Sequence, residues 1–464
     1  MTTMTRSTGG ATTRMLSLAA LVMAAACERT STAEPPLLDA TLDEELRTTL
    51  GQWGAVPIGP VQTQDPALVS LGQSLFFDKL LSGNRDISCS TCHEPGLQAA
   101  DGLTLAIGTG GTGFGSTRTL GAGRQFVPRN AASLLNQGLG FFYLFWDGRV
   151  NEEGGPSRFQ TPAGAHLPSG LTGLLAAQAM LPVTNREEMR GKPGDVDRFG
   201  NPNELAQISD ADFPAIWRAT MSRLLAVQEY VAKFTAAYPG TPTSALGFQH
   251  AANALAAFQV HAFTTTNSPF DRYLARDDNA LTEEQKRGAL LFFGRAQCSS
   301  CHNGALLGGR SFANAGVPQL GPGVGAAAPL DRGRGEHFPT IPFYQFAFRV
   351  PALRNVELTA PYMHNGAYRT LEAVVRHYNN VDSALVAFDA AELDPAVRGT
   401  LHGDMSTVNA IRGTLDPRLR FPIRLTTTEQ QQIVAFLKSL TDPAARNLGA
   451  VVPARVPSGL PVRE

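Results

Sequence analysis

Gly72-Gln-Ser-Leu-Phe-Phe77 followed by Cys89-Ser-Thr-Cys92-His93 returns later in the chain as Gly288-Ala-Leu-Leu-Phe-Phe293 followed by Cys298-Ser-Ser-Cys301-His302. In both copies the apolar residues before the cysteines fall at helical spacing, which predicts a helix that delivers its chain to the motif and packs as core. Thr282-x-x-Gln285 supplies a capping box at the start of the second helix. Cys-x-x-Cys-His is a covalent c-type haem attachment signature. The two thiols add to porphyrin vinyl groups, and the adjoining imidazole becomes the proximal iron ligand. Two haem c groups are therefore expected, one on Cys89, Cys92 and His93 and the other on Cys298, Cys301 and His302. Haems carry redox chemistry that side chains do not, so the chain reads as an oxidoreductase.

Paired Cys-x-x-Cys units also build zinc sites and redox-active disulfides. A zinc ribbon keeps its pairs close in sequence, whereas these stand at 89–92 and 298–301, and neither has a βαβ setting. The 464 residues, 43% of them hydrophobic, suffice for two or three domains. A net charge of −1 argues against a nucleic-acid partner and a polybasic membrane patch.

Arg6 and Arg14, the apolar run Leu16 to Ala26 and then Cys27 form an export signal, residues 1–27. Cys27 stands where a lipoprotein signal places its acylated residue; the alternative is ordinary secretory cleavage. The expectation is a periplasmic protein, lipid-anchored at Cys27, with residues 28–63 as a tether. Haem domains follow at 64–270 and 271–446, then a Pro- and Val-rich tail at 447–464 without helical pattern. Ile216 to Tyr238, Leu246 to Phe263 and Thr428 to Leu440 carry further helical periodicity. Strand signals are sparse, and 106–123, 150–175 and 312–342 read as irregular loops.

From Leu71 to Asp442 the chain resembles the bacterial dihaem cytochrome c peroxidases and MauG-type enzymes. The motifs are, besides the two haem sites, Pro128-Arg-Asn130, Phe145-Trp-Asp-Gly-Arg149, Asn185-Arg-Glu-Glu-Met189, Ser268-Pro-Phe-Asp-Arg-Tyr-Leu274 and Leu281-Thr-Glu-Glu-Gln-Lys-Arg-Gly288. Arg349-Val-Pro-Ala-Leu-Arg-Asn355 and Leu358-Thr-Ala-Pro-Tyr-Met-His-Asn-Gly366 complete the series. The resemblance implies a mainly α fold, two cytochrome c-like haem domains with long irregular loops, and an active site near their interface. It makes His93 the proximal ligand of a peroxide-reacting haem, and Gln178 and Glu188 its distal pair. A carboxylate beside an amide donor can relay a proton between the two peroxide oxygens. Trp146 matches the tryptophan between the haems, and Asn130, Thr359 and Pro361 match the holders of a bridging Ca2+. Arg349 and Arg354 are suited to haem propionates.

Two departures from the family pattern set the subtype. Many relatives carry a haem-blocking histidine in the loop after the first motif; this loop reads Ile107-Gly-Thr109-Gly110, so an open sixth position is expected. His166, in a Gly- and Pro-rich insertion, is the alternative ligand there. At the second haem, Tyr378 stands where relatives place a ligating methionine, as in MauG-type enzymes, with neighbouring His377 as competitor and Met363 and Met405 as fallbacks. On one helix only one of His377 and Tyr378 can face the iron.

Three functions compete. The first is a periplasmic dihaem peroxidase, reducing hydrogen peroxide to water with electrons from a small cytochrome c or cupredoxin through the second haem. The second is a MauG-type oxidase that modifies a partner protein. The third is a non-catalytic dihaem electron carrier, which would have no use for a distal acid–base pair.

Overall fold

Both glycines of the repeated hexapeptide lie where two helices cross backbone to backbone. The computed structural model describes residues 41–153 and 159–463; the signal segment and Cys27 lie outside these. The helices are α1 (Leu42–Gln52), α2 (Pro66–Phe77), α3 (Cys89–Cys92), α4 (Leu174–Ala179), α5 (Phe213–Leu225), α6 (Gln228–Ala237) and α7 (Phe248–Phe263). They continue as α8 (Pro269–Leu274), α9 (Glu283–Phe293), α10 (Leu371–Asn379), α11 (Val381–Val386), α12 (Met405–Gly413) and α13 (Thr427–Ser439).

Helix α2 packs on α7, and α9 packs on α13. A Cβ on Gly72 would lie 1.9 Å from the Ala254 carbonyl oxygen, and one on Gly288 would lie 1.9 Å from that of Gln432. Only glycine permits these approaches. The phenylalanines that follow then fill the cores: Phe76 and Phe77 meet Phe258 and Phe263 in one, Phe292 and Phe293 meet Phe436 in the other. The capping box at Thr282 forms, with Gln285 N–H donating to the hydroxyl and the Gln285 amide oxygen accepting from Thr282 N–H. Ile216 to Tyr238 is two helices rather than one, because the chain turns at Ala226 and Val227 between α5 and α6.

The architecture is mainly helical, and its strands are two-residue pairs. Tyr143–Leu144 pairs with Val150–Asn151, Phe312–Ala313 with Phe348–Arg349, and Gln319–Leu320 with Leu401–His402, all antiparallel. From Thr41 onward the chain gathers in one compact unit containing separate cores around α2/α7 and α9/α13.

Two segments read as connecting chain are docked instead. Residues 42–52, within the expected tether, form α1, whose Leu46 and Leu50 enter the α9/α13 core. Asp43 accepts from the Tyr273 hydroxyl (2.8 Å) and pairs with Lys286 (2.8 Å). The tail crosses the other way: Val456 and Leu460 are buried in the α2/α7 core. Ser458 donates to Asp78 (2.7 Å), and Arg463 pairs with Glu94 (2.9 Å) next to His93. Each end of the described chain thus covers the core more distant from it in sequence. A helix-period scan misses the tail because its apolar residues bury from irregular backbone.

Candidate functional site

Each Cys-x-x-Cys-His turn ends by aiming its histidine. Nδ1 of His93 donates to the Ala99 carbonyl (3.2 Å), and Nδ1 of His302 donates to that of Leu307 (3.1 Å). Fixing the proton on Nδ1 leaves Nε2 as the iron-binding atom. Burial lowers both imidazoles to about 4, so both are neutral at pH 7, the form that binds iron. Burial pushes the Cys89 and Cys298 thiols up to about 12, the opposite of a redox-active dithiol. Among the described residues no three His, Cys, Asp or Glu side chains gather as a metal site, so the cysteine pairs do not form a zinc cluster.

The surroundings fit a haem. Arg349 is 3% exposed; its Nε donates to the Phe145 carbonyl (3.1 Å), and its Nη1 is buried without a partner. No carboxylate pairs with it among the described residues, and burial lowers it to about 10. A buried cation left in this state calls for an anion, as a haem propionate would supply. Arg354, expected to share that role, already has a carboxylate in Asp271 (2.8 Å). Near the first motif, Asp101 is 2% exposed, with Oδ2 unpartnered, and burial raises it to about 7.

The segment carrying Glu188 meets the loop that follows the first motif. Glu188 rides on a π-helical turn, Arg186–Arg190, whose first N–H groups are capped by the Asn185 side chain. Such turns recur at functional sites. Burial raises the Glu188 carboxyl, opposed by Arg149 and Arg129 and reinforced by Asp147. Gln178 lies in the last turn of α4, and its amide has no hydrogen-bond partner among the described residues. The loop Ile107–Gly110 lies against Glu188: Thr109 N–H donates to the Glu188 carbonyl (3.0 Å), and the Thr109 hydroxyl donates to Asp86 (2.8 Å). Arg118 grips the same loop through the carbonyls of Ile107 (2.9 Å) and Gly108 (2.7 Å). His166 is exposed on a separate turn, Gly164–His166.

Trp146 bridges the two halves. Its indole N–H donates to the Asn130 carbonyl (3.0 Å), and its own carbonyl accepts from Arg349 N–H (2.7 Å). Asn130 N–H donates to the His364 carbonyl (2.9 Å), which brings it to the loop carrying Thr359 and Pro361. The Asn130 Nδ2 donates to Leu103 (2.8 Å), so the amide oxygen remains for another ligand.

At the second site, His377 and Tyr378 point different ways. His377 is 1% exposed, with Nε2 donating to the Ala315 carbonyl (2.8 Å) and Nδ1 accepting from the Tyr368 hydroxyl (2.8 Å). Both ring nitrogens are occupied. The Tyr378 hydroxyl has no hydrogen-bond partner among the described residues; burial raises its pKa, followed by the fields of Cys301 and Cys298. Successive residues on a helix diverge by about 100°, so one faces the wall and the other the cysteines. Met405 is 54% exposed, and Met363 packs in the cluster around Leu105 and Tyr368.

The sequence reading missed the ion network behind Glu188. Arg129 pairs with Asp147 (2.7 Å) and Asp331 (2.6 Å), and Asp147 also holds Arg149 (3.0 Å) and faces His337 Nε2 (3.3 Å). Arg129 holds both carboxyls below their ordinary range against their burial. Arg129, Asp147 and Arg149 stand inside quoted motifs; Asp331 and His337 come from the loop at 312–342, which carries no motif.

Twin attachment turns, each with a free Nε2, and an unpaired buried guanidinium define a dihaem c-type redox protein. A family model described as di-haem cytochrome c peroxidase matches residues 66–279. Cytochrome c551 peroxidase of Pseudomonas aeruginosa is 30% identical over 362 residues, 77% of this chain and 82% of that protein. The methylamine utilization protein MauG of Methylorubrum extorquens is 29% identical over 399 residues, 85% of this chain and 84% of that protein. The crystal structure of a MauG-like protein associated with microbial copper homeostasis has a TM-score of 0.57 at 25% identity, covering 87% of this chain and 97% of that one. The chain belongs to the dihaem cytochrome c peroxidase family, which takes in MauG. It is an oxidoreductase, and the family implies two haem c groups.

Proposed function

We propose that this protein is a periplasmic dihaem peroxidase, reducing hydrogen peroxide to water with electrons drawn from a small redox protein through the second haem. The observation that carries this reading is the Glu188 carboxyl, raised by burial and set against a loop in which Thr109 takes the place of a histidine. When bound, the haem on His93 supplies the iron at which peroxide is reduced. The chain's own part is proton movement. The ionised Glu188 carboxylate accepts the proton from the inner peroxide oxygen and returns it to the outer one, which leaves as water. The Gln178 amide donates a hydrogen bond that orients the peroxide. Arg149 and Arg129, both held by Asp147, oppose the rise that burial imposes on the Glu188 carboxyl. Thr109, bound to Asp86 and to the Glu188 backbone, offers no imidazole, so the pocket needs no prior reduction to open.

The haem domains are 64–270 and 271–446, with Trp146 as the electron bridge between them. Asn130, Thr359 and Pro361 would hold the Ca2+ at their seam, through the Asn130 amide oxygen among others. Tyr378 rather than His377 would serve the second haem, since both His377 nitrogens are taken. Export fits c-type haem attachment, and Cys27 would carry the lipid anchor. A second reading, a MauG-type oxidase acting on a partner protein, draws support from Tyr378 and Thr109 together. A bare electron carrier would not need a carboxyl raised by burial close to the first motif.

Steady-state peroxide consumption by the holoprotein with a reduced donor tests the reading. Glu188→Gln should lower the rate by about 10²- to 10⁴-fold while both haems stay bound. Peroxide consumption independent of Glu188 refutes its role. Absence of turnover with every donor, together with oxidation of a co-expressed protein, shifts the assignment to the oxidase.

A further inference from the structure

A short basic segment, Pro417-Arg-Leu-Arg-Phe-Pro-Ile-Arg424, follows the helix of Tyr378 in sequence and folds back to join it to the second attachment motif. Both its ends are tied to that site. At one end Arg418 donates to the carbonyl of Ser300, inside the Cys298–His302 motif (3.0 Å), and is braced by buried Asp416 (2.8 Å). At the other, Ile423 N–H donates to the Asn379 carbonyl (2.9 Å), and Leu425 N–H donates to its side chain (2.6 Å), one residue beyond Tyr378. Ile423 and Leu425 pack into the α9/α13 core. The segment is therefore a fixed rim beside the second attachment motif and the helix of Tyr378.

What the rim presents to solvent is a basic ring around an apolar tip. Phe421 is 81% exposed, the highest value among the exposed large hydrophobics. Arg418, Arg420 and Arg424 are exposed around it. Arg420 donates only to the Leu415 carbonyl (3.3 Å), and neither it nor Arg424 has a carboxylate partner among the described residues. Arg295, three residues before Cys298, adds a further exposed guanidinium, paired with Glu429. On a chain of net charge −1 this local excess of cations is not a general property of the surface. An apolar contact ringed by charge is the anatomy of a transient interface, in which the charges steer encounter and select the partner.

We propose that the rim Arg418–Arg424 is the docking surface for the electron donor, and that the donor is a small redox protein whose own docking face is acidic. This rests on the peroxidase reading above, in which electrons enter at the second haem. Phe421 inserts into an apolar patch on the donor, while Arg420 and Arg424 meet its carboxylates. One electron passes per encounter from the reduced donor metal to the second haem, and two donors are oxidised for each peroxide reduced.

The test uses the holoprotein with two reduced donors, an acidic cupredoxin and a basic mitochondrial cytochrome c. Expected for the native chain is a higher kcat/KM with the acidic donor, falling steeply with added salt. Arg420→Glu with Arg424→Glu should reduce that kcat/KM by about 10-fold or more and flatten its salt dependence. Phe421→Ser should weaken association with the acidic donor, followed by surface plasmon resonance, without changing the salt slope. The haem absorption spectrum of each variant reports that both sites are intact. Preference for the basic donor, or association and kcat/KM unaltered by the double charge reversal, overturns the proposal. Turnover with tetramethylphenylenediamine separates the two ideas. If the native chain consumes no peroxide even with this small reductant, the peroxidase reading fails, and the association measurement alone still decides the docking surface.

Discussion

Replacing Gly72 with alanine places a methyl group where the Ala254 backbone already lies. The new Cβ would stand 1.9 Å from the Ala254 carbonyl oxygen, 2.6 Å from its carbon and 2.7 Å from the Phe258 Cβ. Ordinary contact begins at 3.4 Å, so α2 and α7 must separate by roughly 1.5 Å over their crossing, opening the Phe76–Phe258 contact. Overpacking of a core costs about 1–3 kcal/mol, and the upper end applies because the obstacle is main chain rather than a flexible side chain. Alanine gains about 1 kcal/mol in helix propensity over glycine, leaving a net loss of roughly 2 kcal/mol. At about 2–4 °C per kcal/mol, the Tm of the α2/α7 core should fall by roughly 4–8 °C. Gly51→Ala is the control, since nothing lies within 4 Å of a Cβ there; it should leave Tm unchanged or raise it slightly. Calorimetry of the holoprotein, with the haem absorption band followed during melting, reads both. Gly72→Ala as stable as Gly51→Ala would refute the close-crossing argument, and with it the shared structural reason for the repeat.

Gly288→Ala should behave like Gly72→Ala but loosen the α9/α13 core, with loss assigned by the spectrum of the second haem. Tyr378→Phe removes a hydroxyl near Cys298 and Cys301 that has no hydrogen-bond partner among the described residues, so the low-spin EPR signal of that haem should be lost; an unaltered signal would exclude the tyrosine as ligand. Asp147 and Asp331 are held below their ordinary value of 3.8 by Arg129, so their contribution is present above that pH and lost as pH falls through the depressed folded values. Asp331→Asn should therefore destabilise the protein at neutral pH and flatten the acid limb below pH 3.8, read from urea unfolding across pH. Ending the chain after Arg446 uncovers Val456 and Leu460, each worth about 1.5–3 kcal/mol when buried; a Tm equal to that of the full chain would contradict their role.

How much was legible in advance follows from where each signal resides. Cys89-Ser-Thr-Cys92-His93 and Cys298-Ser-Ser-Cys301-His302 name their cofactor because the chemistry needs two thiols and an imidazole within five residues. The helices before them are legible because burial of one face imposes a period of 3.6. The ion network of Arg129, Asp147, Asp331 and His337 was not, since its members come from separate loops and meet only through the fold. The helical spacing read at 216–238 is carried by two helices that break at Ala226, where no proline or glycine marks the turn.

By itself, then, the sequence pointed to two haem c groups, to the two motifs that would attach them, and to the family of the chain. The two motifs alone leave their histidines equivalent; the family resemblance made them unequal and favoured Tyr378 over His377 at the second haem, although neighbours on a helix carry the same local signal. Tertiary packing bears on His377 alone: the Ala315 carbonyl and the Tyr368 hydroxyl, remote from and near to it in sequence, occupy both of its nitrogens. It likewise turned Thr109 towards Asp86 and brought the tail back over the first core. Such decisions rest on groups distant in sequence sharing one buried space, and local pattern carries no record of them.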